Sequence, residues 1–134
     1  MLFLLDTNIV VFCLRGNSAD AQRRLLAVTP ADVCVPLQVY AELLVGAAKS
    51  EKPLANQQRV LAFLAPFQIV MPSLVIAEHY AEIRTVLESS GTPISEADLW
   101  IAATARSVGG TLVTNNTREF SRVPNLNIDD WSKP

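Results

Sequence analysis

The sequence predicts a three-layer α/β/α sandwich on a parallel sheet of four to five strands, in the single domain that 134 residues can form. Three observations carry this reading. Short apolar runs such as Met1-Leu2-Phe3-Leu4-Leu5, Val33-Cys34-Val35 and Leu112-Val113 show no polar alternation, which marks strands buried on both faces. Between these runs lie longer segments whose apolar residues recur with helical spacing. The two kinds of segment alternate throughout, without repeats, low-complexity tracts or an internal linker, and that alternation specifies helices packed on both faces of a parallel sheet.

The first strand runs into Asp6-Thr7-Asn8. Ligands of open α/β sheets gather at the carboxyl ends of strands, so a carboxylate here is placed for chemistry, although Asp also serves as an ordinary helix N-cap. Ile9 to Leu14 reads as a short helix closed by Arg15-Gly16. Ala19 to Val28 is amphipathic, with Ala21, Leu25, Leu26 and Val28 expected to face inward and Asp20, Gln22, Arg23 and Arg24 outward. Val33-Cys34-Val35 is the second strand, and Pro36 suits the first turn of the next helix.

In that helix, Leu37 to Ala48, Glu42 is the one strongly polar side chain apart from Gln38. A helix apolar nearly all round is expected to be largely buried, and an unpaired carboxylate there costs on the order of several kcal/mol. Glu42 therefore either has a partner or points to solvent from the one wet edge. Gly46, one turn later on the same face, leaves space for something to approach. Leu54 to Leu64 completes a helical hairpin, and Phe67 to Met71 is the third strand. Ser73 caps a helix from Leu74 to Ser90 with Ile76, Tyr80, Ile83 and Leu87 on one face. His79, the sole histidine, falls on the polar side with no second ligand near it in sequence and reads as a surface residue.

Ser95 and Asp98 resemble a capping box opening another apolar helix, which runs to Val108. Its N-terminal end is expected to cross the carboxyl edge of the sheet, where the helix dipole favours an ionised Asp98. Thr111 to Thr114 is the fourth strand, followed at its carboxyl end by Asn115-Asn116-Thr117-Arg118-Glu119-Phe120. Val123 to Ile128 reads as a last edge strand, with Trp131 packing down the terminus.

Composition narrows the function. A net charge of −2 and a pI near 5.3 lack the bulk basicity of proteins that hold nucleic acid by neutralising phosphate. Either nucleic acid is not the partner or a metal supplies the missing positive charge. No run approaches the roughly 18 to 20 apolar residues of a membrane span, and Leu2 to Leu5 is too short for a signal peptide, so a cytoplasmic location is expected. Cys13 and Cys34 lie among apolar neighbours without metal-ligand spacing and read as reduced thiols.

The sheet order brings Asp6, Glu42, Asp98 and Glu119 toward one edge. That many carboxylates cannot all ionise in a dry pocket without a cation, because like charges raise one another's pKa. Oxygen ligands without His or Cys favour Mg²⁺ or Mn²⁺, and such a cluster suits one or two ions, about 3.5 to 4 Å apart when two bind, that activate water in phosphodiester cleavage.

Asp6-Thr7-Asn8, the lone Glu42, Pro93-Ile94 followed by Asp98-Leu99-Trp100-Ile101-Ala102, the segment Leu112 to Phe120 and a terminal Asp130-Trp131 together resemble the PIN-domain toxins of VapC type. The resemblance covers essentially the whole chain, and Thr114 to Phe120 is its most specific part. It implies a Mg²⁺- or Mn²⁺-dependent endoribonuclease, usually a homodimer, held inactive by a cognate antitoxin; family targets include tRNA anticodon loops and ribosomal RNA. Asp6, Glu42 and Asp98 match the acids that bind metal and position the attacking water, with Asp6 and Asp98 as metal ligands. Thr114 matches a hydroxyl that orients the acids, and with Asn116 and Arg118 it forms the expected substrate-contacting group. Many members carry a fourth acid where Asn116 stands here; either Asn116 supplies a carbonyl oxygen without charge in that role, or Glu119, three residues on, takes it as a catalytic acid. Arg118 either touches phosphate or pairs with Glu119, and an exposed apolar groove is expected to take an antitoxin helix. The competing reading is a non-catalytic binding module that keeps an acidic pocket. A phosphatase-like enzyme fits less well, since it calls for a second Asp where Asn8 stands.

Overall fold

The sheet is built around the strand that comes first in the chain. In the computed structural model, which describes residues 1–134, the strands are β1 (Phe3–Leu5), β2 (Val33–Pro36), β3 (Gln68–Val70), β4 (Thr111–Val113) and β5 (Asn127–Asp129). They lie in the order β3-β2-β1-β4-β5, and every neighbouring pair is parallel. Leu4 registers with Cys34 on one side and Leu112 on the other, and all three are buried, as strands covered on both faces require.

Seven helices connect the strands: α1 (Thr7–Arg15), α2 (Ala19–Leu26), α3 (Leu37–Ala48), α4 (Pro53–Leu64), α5 (Leu74–Ser89), α6 (Glu96–Ser107) and α7 (Thr117–Phe120). The connections after β1 and β2 step toward one edge of the sheet. Those after β3 and β4 return to the far side of β1 and step toward the other edge. Right-handed crossovers in opposite directions lay helices on opposite faces, which gives the three layers. The direction reverses between β1 and β4, so the loops leaving their carboxyl ends diverge and open a crevice there.

Local chemistry sets most boundaries. Gly16 ends α1 in the left-handed region at φ 67°. Ser18, Ser73 and Ser95 cap α2, α5 and α6, each accepting a backbone N–H three residues on. Gly110 lets the turn into β4 pass Leu4, whose Cδ1 would lie 2.3 Å from a Cβ there. A cluster of 25 buried apolar residues forms one core spanning both faces of the sheet.

Several expectations are corrected. Pro36 belongs to β2 rather than to the helix, because its ψ of 146° keeps it extended. The last strand shrinks to Asn127–Asp129: Pro124 has no N–H to give a ladder, and Asn125 turns at φ 61°. Leu26, expected inside, is 86% exposed. On α3 only Val39, Leu43 and Ala47 are buried, while Ala41, Val45 and Ala48 are exposed, because α4 covers one side of that helix and no other element covers its outer face. His79 is half-buried rather than a plain surface residue. Its Nδ1 accepts a hydrogen bond from Arg106 Nε at 2.8 Å, and Arg106 also reaches Pro124 O at 3.1 Å and Glu82 at 3.2 Å, clamping α5 to α6 and the C-terminal segment. At the terminus Trp131 packs against Phe3, while Arg24 bonds Asp129 Oδ2 at 2.7 Å. No helix is long and apolar enough to cross a membrane.

Candidate active site

The crevice between the carboxyl ends of β1 and β4 is walled by Asp6. Its backbone N–H donates to Val113 O at 2.9 Å, extending the β1–β4 ladder by one step. That step fixes the side chain: Oδ1 accepts from Thr7 N at 2.8 Å and Oδ2 accepts from the Thr114 hydroxyl at 2.7 Å. Asp6 is therefore both an N-cap of α1 and a member of the site. It is only 7% exposed, and burial raises its carboxyl above the ordinary range, opposed by the bonds from Thr114 and Thr7, with Glu42 adding to the rise.

Thr114 is completely buried. Its Oγ1 accepts from Asn116 N at 3.0 Å while its proton goes to Asp6. Direct substrate contact, expected from sequence, is closed to a side chain with no exposed surface; the hydroxyl orients Asp6 instead. Asn116 is half-buried at the start of α7, and Glu119 is half-buried one turn on. Arg118 is exposed and makes no ion pair with Glu119 or any other acid, so of its two anticipated uses the pairing is not formed.

Glu42 projects from α3 and is exposed, at the wet edge that was one of its two anticipated settings. Even so it has a partner: the Thr7 hydroxyl donates to its Oε2 at 2.6 Å. Thr7 thus bridges the two walls, its N–H on Asp6 and its hydroxyl on Glu42. Sequence reasoning missed this role, and it missed the bond from Asn8 Nδ2 to Asn115 Oδ1 at 3.2 Å, which ties the turn after β1 to the turn after β4. The only available signal was that both motifs follow strands that turn out to be neighbours.

Asp98 enters from the first turn of α6, whose N-cap Ser95 accepts Asp98 N at 3.2 Å. Its carboxyl is pushed up to about 6, first by burial and then by the charges of Asp6, Glu119 and Glu42, with the Ser95 hydroxyl opposing. The four acids, from four separate elements, thus meet electrostatically at one crevice. No three of them stand close enough together to form a finished ligand cage, as expected of like charges facing one another. The donor set is nonetheless all oxygen, which suits a hard divalent cation, and the raised Asp98 carboxyl is the strain such a cation would relieve.

A model of the PIN domain matches residues 3–126. A ribonuclease VapC2 of Rickettsia felis is 37% identical over 134 residues, covering 99% of this chain and all of the relative. A tRNA(fMet)-specific endonuclease VapC of Shigella flexneri is 36% identical over 130 residues, covering 97% and 98%. Among solved structures, that of DNA-bound VapBC from Salmonella typhimurium superposes with a TM-score of 0.91 at 35% identity, covering 98% of this chain and 99% of that one.

Proposed function

The chain belongs to the PIN-domain family and is a ribonuclease of VapC type; from that premise we propose an endoribonuclease toxin that cuts RNA with Mg²⁺ or Mn²⁺ and is restrained by a cognate antitoxin. One observation carries the proposal: Thr7 and Thr114 tie Asp6 and Glu42 together at the crevice, where Asp6, Glu119 and Glu42 lie near enough to the half-buried Asp98 carboxyl to add to the rise that burial imposes on it. Asp6 and Asp98 would hold the cation, with Glu42 and Glu119 beside it. Once bound, the ion supplies the positive charge that lets an acidic pocket accept phosphate and eases deprotonation of water.

The chain's own residues do the rest. Thr114 and Thr7 hold the Asp6 carboxylate in one orientation, so its oxygens need no reorganisation when substrate arrives. Thr7 fixes Glu42 at the opposite wall. Asp98, whose carboxyl lies near 6 when no cation bears on it, is held ionised once the cation binds and so serves as a ligand. Arg118, exposed and unpaired, is free to meet a phosphate of the strand.

The relatives' structures include complexes with VapB, some on DNA. We assign the same kind of partner here, an antitoxin helix docking on the exposed apolar side chains of α3 and α4, Val45, Leu54 and Leu61. The Shigella relative is named for tRNA(fMet), which makes that RNA the first substrate to try. The test incubates labelled tRNA(fMet) and a panel of total RNAs with the protein in Mg²⁺ and in EDTA. Cutting that needs the metal, and disappears in folded Asp6→Asn and Asp98→Asn, is the expected result. Cleavage that persists in both variants would remove the site assignment.

A further inference from the structure

A well-formed cavity of the molecule lies not over the acids but beside them. It encloses about 290 Å³ between α1, α3 and α4, at the lower end of small-ligand pockets, and it shares Thr7 and Glu42 with the site above. Its walls are apolar at Val11, Leu43 and Val60. Its far end carries Arg15 and Arg59. We propose that this cavity is an RNA subsite, in which Arg15 and Arg59 hold a phosphate of the strand a few nucleotides from the cleaved bond while the attached nucleotide packs on the apolar wall; the proposal rests on the ribonuclease reading.

Three features point to a nucleotide. First, both arginines lack acidic partners, since the ion pairs of the chain engage Arg23, Arg24, Arg84 and Arg106. In a chain of net charge −2, two unpaired guanidinium groups at one cavity mouth are a local reversal of sign. A cation near a helix C-terminus is stabilised by the dipole, and Arg59 does donate to Leu14 O at 2.6 Å at the end of α1. That bond uses one of five donors and fixes the guanidinium beside Arg15, leaving the rest for phosphate oxygens.

Second, α1 places its two ends at the two functions. Thr7 begins the helix at the acids and Arg15 ends it, about 12 Å away at 1.5 Å per residue, a distance that a strand of a few nucleotides covers. Third, Gly46 lines the cavity, and a Cβ built there would meet nothing within 4 Å. Space is open in the middle of the cavity, between the acidic and basic ends.

The test compares wild type with Arg15→Gln, Arg59→Gln and Gly46→Leu. Binding of labelled tRNA(fMet) and of a single-stranded RNA 12-mer is measured by anisotropy across a salt series, in an Asp98→Asn background so that no RNA is cut. Cleavage kinetics are run separately on each variant with Asp98 intact. The expected result is about tenfold weaker RNA binding for each arginine change. The log–log salt slope of each arginine variant should be shallower by about 0.7. The loss should fall on KM with kcat nearly kept. Gly46→Leu should weaken binding at unchanged or raised Tm, since the site has room and Leu is the better helix former; this separates blocking from misfolding.

Unchanged affinity and salt slope in all three variants would overturn the subsite even if the protein cuts RNA. Arginine-dependent binding by a protein that cuts no RNA would sink the ribonuclease reading and keep the subsite. Variants that lose the co-expressed antitoxin but bind RNA like wild type would assign the cavity to the antitoxin, and the proposal would fail.

Discussion

Asp6 is 7% exposed with both carboxylate oxygens bonded inside the chain, whereas Glu42 is exposed and tied by a single bond from Thr7. The first wall is part of the sheet: its N–H continues the β1–β4 ladder and its oxygens close the turns after both strands. The second wall is a helix whose outer face nothing covers. The fold therefore dictates where Asp6 must be, while Glu42 stands at the solvent edge on one hydrogen bond and Asp98 and Glu119 are half-buried. The inner acid has its orientation set by the chain, whereas the acids around it contribute mainly charge.

The largest expected effects come from removing charge at either wall. Asp6→Asn and Asp98→Asn should each lower cleavage on the order of 10³-fold, and EDTA should abolish it in the wild type. Single-turnover assays on folded protein would show this. Glu42→Gln sharpens the contrast: its activity should fall while its Tm stays within about 2 °C, because the Gln carbonyl oxygen can still accept from Thr7 and only an exposed charge is lost. A Glu42 variant that unfolds readily would erase the distinction between the walls.

Next in size is the pair Thr114→Val and Thr7→Val, which removes one hydroxyl from each wall. Thr114→Val leaves Asp6 Oδ2 and Asn116 N without a buried partner, so it should cost about 1 to 3 kcal/mol in denaturant unfolding and about 10- to 100-fold in cleavage. Thr7→Val frees an exposed carboxylate that water can solvate. Its stability should change by no more than about 0.5 kcal/mol, with a smaller loss of activity. Equal costs for the two substitutions would show that burial does not separate the walls.

The inner wall was legible in the sequence and the outer one only in part, for a physical reason. Leu2 to Leu5 running into Asp6, and Thr111 to Val113 running into Thr114, carry their strand assignment in their own composition, and parallel topology then puts both ends on one edge of the sheet. Helical periodicity says which face of a helix is apolar but not whether another element covers it. Leu26 and the expected burial of α3 as a whole were misjudged for that reason, since covering is decided by elements distant in sequence or by another chain. His79 was misplaced likewise, because its partner Arg106 lies on the next helix. The bonds from Thr7 to Glu42 and from Asn8 to Asn115 join residues 35 and 107 positions apart, beyond any local pattern.

The smallest predicted effect concerns Asp98 without metal. Its carboxyl is raised from 3.8 to about 6 in the folded chain. Between about pH 4 and pH 6 the folded state therefore binds more protons than the unfolded one, and linkage makes stability fall as pH rises through that window. Above it the ionised group remains as a standing cost. Two units would amount to about 3 kcal/mol, but solvent reaches this half-buried group and screens the charges around it, so about 1 kcal/mol is expected, or roughly 3 °C in Tm. In EDTA the melting temperature of Asp98→Asn should thus draw level with the wild type near pH 4 and exceed it at pH 7. Mg²⁺ should raise the wild type and leave the variant nearly unmoved. Curves that stay parallel from pH 4 to pH 7 would mean that Asp98 carries no stored cost of burial and charge repulsion, and the outer wall would lose its physical reason for attracting a cation.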